Sequence, residues 1–123
     1  MTGVPGASEV FRGAVVSYAS DVKFDLLDVS EGPVVTEEAA IEMAEGVRKV
    51  LQSDVGLALT GVAGPSEQDG MRPGTLFAAV VLPEGEPDRV RSAHVTMPGD
   101  RDMMRQLSVI SALDLLRKRL LES

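Results

Sequence analysis

The chain has 123 residues, 44% hydrophobic and 25% charged, with a formal charge of −7 and no cysteine. That length suits one domain with a buried core, and the composition is globular rather than disordered. The acidic balance offers no Lys/Arg cluster to release counterions from a phosphate backbone, so nucleic-acid binding is not expected, and the lack of cysteine excludes disulfides, thiolate metal sites and a cysteine nucleophile.

In chain order, Gly3-Val4-Pro5-Gly6 is turn chemistry, and Ala7 to Phe11 suits a single helical turn. The run Gly13 to Tyr18 reads as a strand, and Asp21 to Leu27 as a short helix with Val22, Leu26 and Leu27 at helical spacing. Thr36 is placed to cap a helix that runs to Gln52. Its first turn carries Glu37 and Glu38, where the helix dipole favours negative charge, and Ala40, Ala44, Val47 and Leu51 share a face.

Val55 to Thr60 is nearly all apolar, as expected of a strand covered on both faces. A strand, a helical crossover and a further strand suggest a parallel pair. Leu76 to Leu82, a turn over Pro83 to Asp88 and the alternating run Arg89 to Met97 read as an antiparallel hairpin, its second strand nearer an edge. From Asp100 the pattern is a closing helix, with Val109, Leu113, Leu116 and Leu120 on one stripe and Arg117, Lys118 and Arg119 in the last turns. Together these elements predict a single α/β layered domain over residues 1–123 with a mixed sheet. No charged-then-apolar leader and no apolar run of about 18 residues is present, so the expected setting is cytoplasmic, without membrane contact.

The loop that follows Thr60 is rich in glycine and proline. It leaves the end of a buried strand, where α/β proteins place ligands, so Thr60 through Pro65 is either a ligand wall or an ordinary strand connection. It matches neither the dinucleotide nor the P-loop glycine pattern. Arg101 sits in a helix's first turn, against the dipole preference, a cost that a ligand phosphate would offset. Tyr18 and Lys23 lie just past a strand end, suited either to acid–base chemistry or to solvated cover. His94, alone of its type, falls on an alternating strand and reads as structural. The carboxylates Glu37, Glu38, Glu42 and Glu45 read as a solvated helix face, and no cluster has metal-ligand spacing.

Four segments, VPGASEVFRGAVVSYASDVK, GPVVTEEAAIEMAEGVRKVLQSDVGLALTGVAGP, RPGTLFAAV and PGDRDMMRQLSVISALDLLRKRL, resemble the C-terminal domain of the competence/damage-inducible protein CinA, the nicotinamide-nucleotide amidohydrolase family. The TGVAGP loop, the Tyr-x-x-x-x-Lys pair and the GDR opening the last helix carry most of the resemblance. It implies a three-layer α/β/α sandwich with a mixed, mostly parallel sheet. The implied activity is hydrolysis of the carboxamide of nicotinamide mononucleotide to the carboxylate, releasing ammonia, with no metal and no organic cofactor. Tyr18 and Lys23 fall on residues that position or activate a serine nucleophile in the family, and an uncharged lysine amine beside that serine would act as base. Thr60, Gly61, Gly64, Pro65, Gly74 and Thr75 would line the nucleotide pocket, and Arg101 would meet the phosphate.

The resemblance also marks departures. The family's Ser-x-Thr-Gly-Gly motif, which supplies the serine after a further helix and strand, is not found in these 123 residues. Ser20 stands where the family has Asn, and the run from Ser66 to Gly70 lacks the usual Gly-Gly pair and adds Glu67 and Asp69. Arg72-Pro73-Gly74-Thr75 is one residue shorter than the family's K-P-V-G-T. Two expectations follow: an amidohydrolase whose serine lies upstream, or a silent module for nucleotide binding or oligomerisation. A homodimer is expected, because loss of an inner strand exposes apolar sheet surface.

Overall fold

The computed structural model describes residues 7–17, 20–30, 32, 35–61, 75–96 and 101–121. Its elements are α1 (Ala7–Val10), α2 (Ser20–Asp25), α3 (Glu37–Leu51), β1 (Gly56–Gly61), β2 (Thr75–Val81), β3 (Val90–Thr96) and α4 (Arg101–Leu121). β2 is the centre of an antiparallel sheet in the order β1-β2-β3. Every residue of β2 is buried, which requires cover on both sides.

Strand alternation divides that cover. Phe77, Ala79 and Val81 join Ala58 and the α3 residues Ala39, Ala40, Met43 and Ala44 in one core cluster. Leu76, Ala78 and Val80 face the other way and are equally buried; α4, which packs against β1 and β2, brings buried Ala112 to that side. The result is α3, sheet and α4 in three layers, as the sequence resemblance implies.

Local chemistry explains α3. The Thr36 side chain accepts a hydrogen bond from the Ala39 amide at 3.0 Å, satisfying a donor that the helix leaves unpaired. Gln52 closes the other end in the left-handed conformation, its amide reaching the Arg48 and Lys49 carbonyls. The small residues Ala39, Ala40, Ala44 and Gly46 make the buried face, so the helix lies close to the strands.

Three expectations are corrected. In the predicted Gly13–Tyr18 strand, of which Tyr18 lies outside the described residues, residues 13–17 alternate between half-buried and exposed as a strand would, yet they join no ladder among the described residues, and the described sheet is antiparallel rather than mostly parallel. The segment is held elsewhere: Arg12 Nε donates to the Leu51 carbonyl at 2.7 Å, Gly13 lies against the Leu51 side chain, and Val15 packs on the core. Likewise the predicted Val109–Leu113–Leu116–Leu120 stripe is only partly inside: the Val109 side chain lies outside the described residues, and Leu113 and Leu116 are half-buried. Leu120 is 49% exposed, while Arg119 is only 6% exposed.

Arg119 is inside because its guanidinium has partners there. It donates from Nη2 to the Pro87 carbonyl at 2.5 Å and from Nε to the Asp88 carbonyl at 3.2 Å, pinning the β2–β3 turn to α4. Arg119→Met keeps an apolar stem but leaves these carbonyls without their donor. It should cost about 1–3 kcal/mol, read as a lower urea midpoint with an unchanged slope; an unchanged midpoint would show that the pair contributes nothing net.

Candidate functional site

The antiparallel registers place Thr60, Phe77 and His94 in one row across the three strands, with Thr75 and Thr96 paired in the same direction along the sheet. All five side chains project to the face that α3 covers. The α3 N-terminus ends one row short of them, where Ser92 Oγ donates to Glu37 Oε1 at 2.8 Å. Its positive dipole end therefore points toward the Thr60 row.

Into this row reaches Lys23, from α2. Its Nζ donates to Thr60 Oγ1 at 3.4 Å. The helix that carries it is short, and the turn after it does the positioning. The Val29 amide bonds the Lys23 carbonyl at 3.1 Å, Asp28 takes a left-handed conformation that aspartate tolerates, and Leu27 and Val29 are buried on either side of it.

The surroundings of the Lys23–Thr60 contact are polar groups on an apolar floor. Thr60 and Thr75 are both buried, and no buried side-chain nitrogen or oxygen lacks a partner among the described residues. Phe77 lies between them and carries the His94 ring stacked on it, centroids 4.5 Å apart and planes within 13°. An amine, two hydroxyls and a helix N-terminus at one sheet end suit an anionic or carbonyl-bearing ligand. No three His, Asp or Glu side chains gather for a metal ion among the described residues.

The profile of the CinA C-terminal domain matches residues 1–120. The chain belongs to this family. It is 46% identical over 125 residues to a CinA-like protein of Frankia casuarinae, covering 98% of this chain and 28% of that protein. A CinA-like protein of Gloeobacter violaceus is 44% identical over 126 residues, with 98% and 29% covered. This CinA C-terminal domain thus spans under a third of the length of those relatives. Among solved structures, the competence/damage inducible protein CihA of Agrobacterium tumefaciens superposes with a TM-score of 0.84 at 27% identity, over 95% of this chain and 73% of that one. The competence damage-inducible protein A of Klebsiella pneumoniae superposes at 0.86 over 97% and 75%, and at 23% identity it shares the fold.

Of the residues singled out in the sequence, the CinA domain brings Lys23 and Thr60 together and sets Gly61 and Thr75 beside them at the β1–β2 end. Gly61 pairs with Leu76, and a Cβ there would press on the Thr75 carbonyl. Arg101 is the first residue of α4. Tyr18, Gly64, Pro65 and Gly74 lie outside the described residues. Sequence alone does not single out Phe77 and makes His94 structural; alternation gives its face, but only the register places it on Phe77, next to Thr60. Among the described residues, no helix is long and apolar enough to cross a membrane.

Proposed function

We propose that this domain binds nicotinamide mononucleotide at the Thr60 end of the sheet and takes part in hydrolysis of its carboxamide to nicotinate mononucleotide and ammonia. The observation that carries the reading is the reach of Lys23 Nζ to buried Thr60 Oγ1, because it brings the family's amine onto the strand that leads into the TGVAGP loop. In this reading Lys23 acts as the base for a serine supplied by a Ser-x-Thr-Gly-Gly segment, Tyr18 helps to orient that serine, and Thr60, Gly61 and Thr75 form the wall. Gly64, Pro65 and Gly74 line the loop side, and Arg101 takes the phosphate. The acyl carbon exchanges its bond to nitrogen for a bond to oxygen, ammonia leaves with the proton held by the base, and water completes the carboxylate. The setting proposed is the cytoplasm, where such nucleotides are salvaged.

The test joins binding to turnover. Nicotinamide mononucleotide should raise the melting temperature by mass action, and Arg101→Ala should lose most of that rise. Equal shifts in the two proteins would remove the phosphate role. In a chain that carries the Ser-x-Thr-Gly-Gly segment, ammonia release alongside the shift supports the hydrolase, whereas a shift with no ammonia there supports the alternative, a silent nucleotide-binding or oligomerisation module.

A further inference from the structure

By its spacing Glu42 belongs to a solvated face of α3, yet in the fold it is half-buried and engaged. Its Oε2 accepts from the Ser30 backbone amide at 2.6 Å and its Oε1 from the Ser30 hydroxyl at 2.9 Å. One carboxylate thus takes both donors of a single residue twelve positions away. Two parallel bonds fix orientation as well as distance, and a carboxylate makes each stronger than a neutral acceptor would.

From Ser30 the bonds lead to Lys23. The preceding residue, Val29, is buried and donates its amide to the Lys23 carbonyl at 3.1 Å, and Lys23 Nζ reaches Thr60 Oγ1. The segment needs an outside hold, because α2 has six residues, well short of the length at which a helix stands alone. Phe24, next to Lys23, supplies part of it by packing on the core cluster.

The rest comes from one line of α3. Gly46 lies four residues after Glu42, on the same side of the helix, and its missing side chain lets the Leu27 carbonyl close against the helix backbone. Residues 27–30 are therefore held at both ends, by close approach at Leu27 and by hydrogen bonds at Ser30. Gly46 gives room, whereas Glu42 gives attachment. The helix that carries both is itself fixed, by the Thr36 cap and by Ala39, Ala40, Met43 and Ala44 in the core.

We infer that Glu42 is a positioning residue for Lys23: its clasp on Ser30 sets the turn after α2, and with it the reach of the amine to Thr60. The catalytic consequence rests on the proposed amidohydrolase reading, while the placement of Lys23 stands on the geometry.

The test uses the amine as its own probe. The chain has three lysines, Lys23, Lys49 and Lys118, and brief acetylation with acetic anhydride followed by peptide mass spectrometry gives a rate for each. Lys49 and Lys118 are exposed and serve as internal references for half-buried Lys23. Glu42→Ala removes both acceptors, so the Lys23 rate relative to the references should rise about fivefold or more. Glu42→Gln should stay within about twofold of the parent, because its amide oxygen accepts from the Ser30 amide and its NH₂ donates to Ser30 Oγ, which accepts as well as donates. Rescue by glutamine separates the clasp from the charge, since both variants lack the charge. Arg119→Met, which loosens the domain elsewhere, should label at Lys23 like the parent, and melting curves confirm that each variant is folded at the labelling temperature.

In a chain that carries the Ser-x-Thr-Gly-Gly segment, Glu42→Ala should also lower kcat about tenfold or more at nearly unchanged KM. Parent-like labelling in Glu42→Ala, equal changes in the alanine and glutamine variants, or an equal rise in Arg119→Met would each overturn the inference. So would the parent's kcat in Glu42→Ala where Lys23→Met has lost it. Failure of the hydrolase reading looks different: Lys23→Met then keeps the parent's kcat, or the parent shows no turnover, and the labelling pattern alone decides the role of Glu42.

Discussion

Gly46→Ala is expected to lower the stability of the domain by about 2–4 kcal/mol, although alanine is the better helix former. On an exposed helix the same change would gain about 1 kcal/mol. Here a Cβ at position 46 falls inside contact distance of the Leu27 carbonyl oxygen, carbon and Cα. None of those atoms is the movable end of a side chain. Leu27 is 2% exposed, and the next residue, Asp28, is already held left-handed, so the turn after α2 has little room to retreat. The remaining response is for α3 to lift from the turn, opening the cluster of Ala39, Ala40, Met43 and Ala44, and overpacking of this kind outweighs helix propensity. The melting temperature should fall by roughly 10 °C. A variant that melts with the parent would show that the close approach is not formed in solution.

The same position bears on function, because the turn touched by Gly46 is the one that follows the helix of Lys23 and bonds its carbonyl. If the proposed amidohydrolase reading holds, then in a chain that carries the Ser-x-Thr-Gly-Gly segment Lys23→Met should cut kcat for nicotinamide mononucleotide hydrolysis about 10²–10⁴-fold, the range of a lost general base, while changing stability little. At 3.4 Å the Lys23–Thr60 hydrogen bond is long, so its loss costs at most about 1 kcal/mol. Lys23→Arg should not rescue the rate, since a guanidinium stays protonated and cannot accept the proton. A Lys23→Met protein with the parent's kcat removes the amine from the chemistry and leaves nucleotide binding alone. Loss of stability equal to that of Gly46→Ala would instead place Lys23 in the scaffold.

Much of the scaffold is legible along the chain, because it depends on neighbours in sequence. Thr36 with Glu37 and Glu38 announces the start of α3, and an unbroken apolar run before Pro83 to Asp88 with an alternating run after it announces the β2–β3 hairpin. The misreadings come from partners far apart. Residues 11–17 carry the in–out alternation of a strand, but alternation specifies faces, not a ladder, and the Arg12 bond to Leu51 joins residues 39 apart. Arg119 takes an inside place on α4 because carbonyls of a turn more than thirty residues earlier receive it; helical spacing alone gives that side to leucines. The site is legible in pieces. Lys23 and Thr60 each stand out, yet their meeting spans 37 residues, and no local pattern states it.

The complete burial of β2 bears on how this chain must be handled away from its folded state. From Leu76 to Leu82 the sequence reads LFAAVVL, seven residues without a charge, a proline or a glycine. Inside the domain both faces of that run are sealed and both of its edges are paired. In an unfolded chain the same run is a strong candidate for stacking against its own copies. Pro83 and Glu84 stand directly behind it, ending the uncharged stretch with a residue that cannot extend a ladder and one that repels its like. Refolding from denaturant should therefore succeed in dilute solution and yield aggregate at high concentration, with Pro83 and Glu84 setting where that crossover falls.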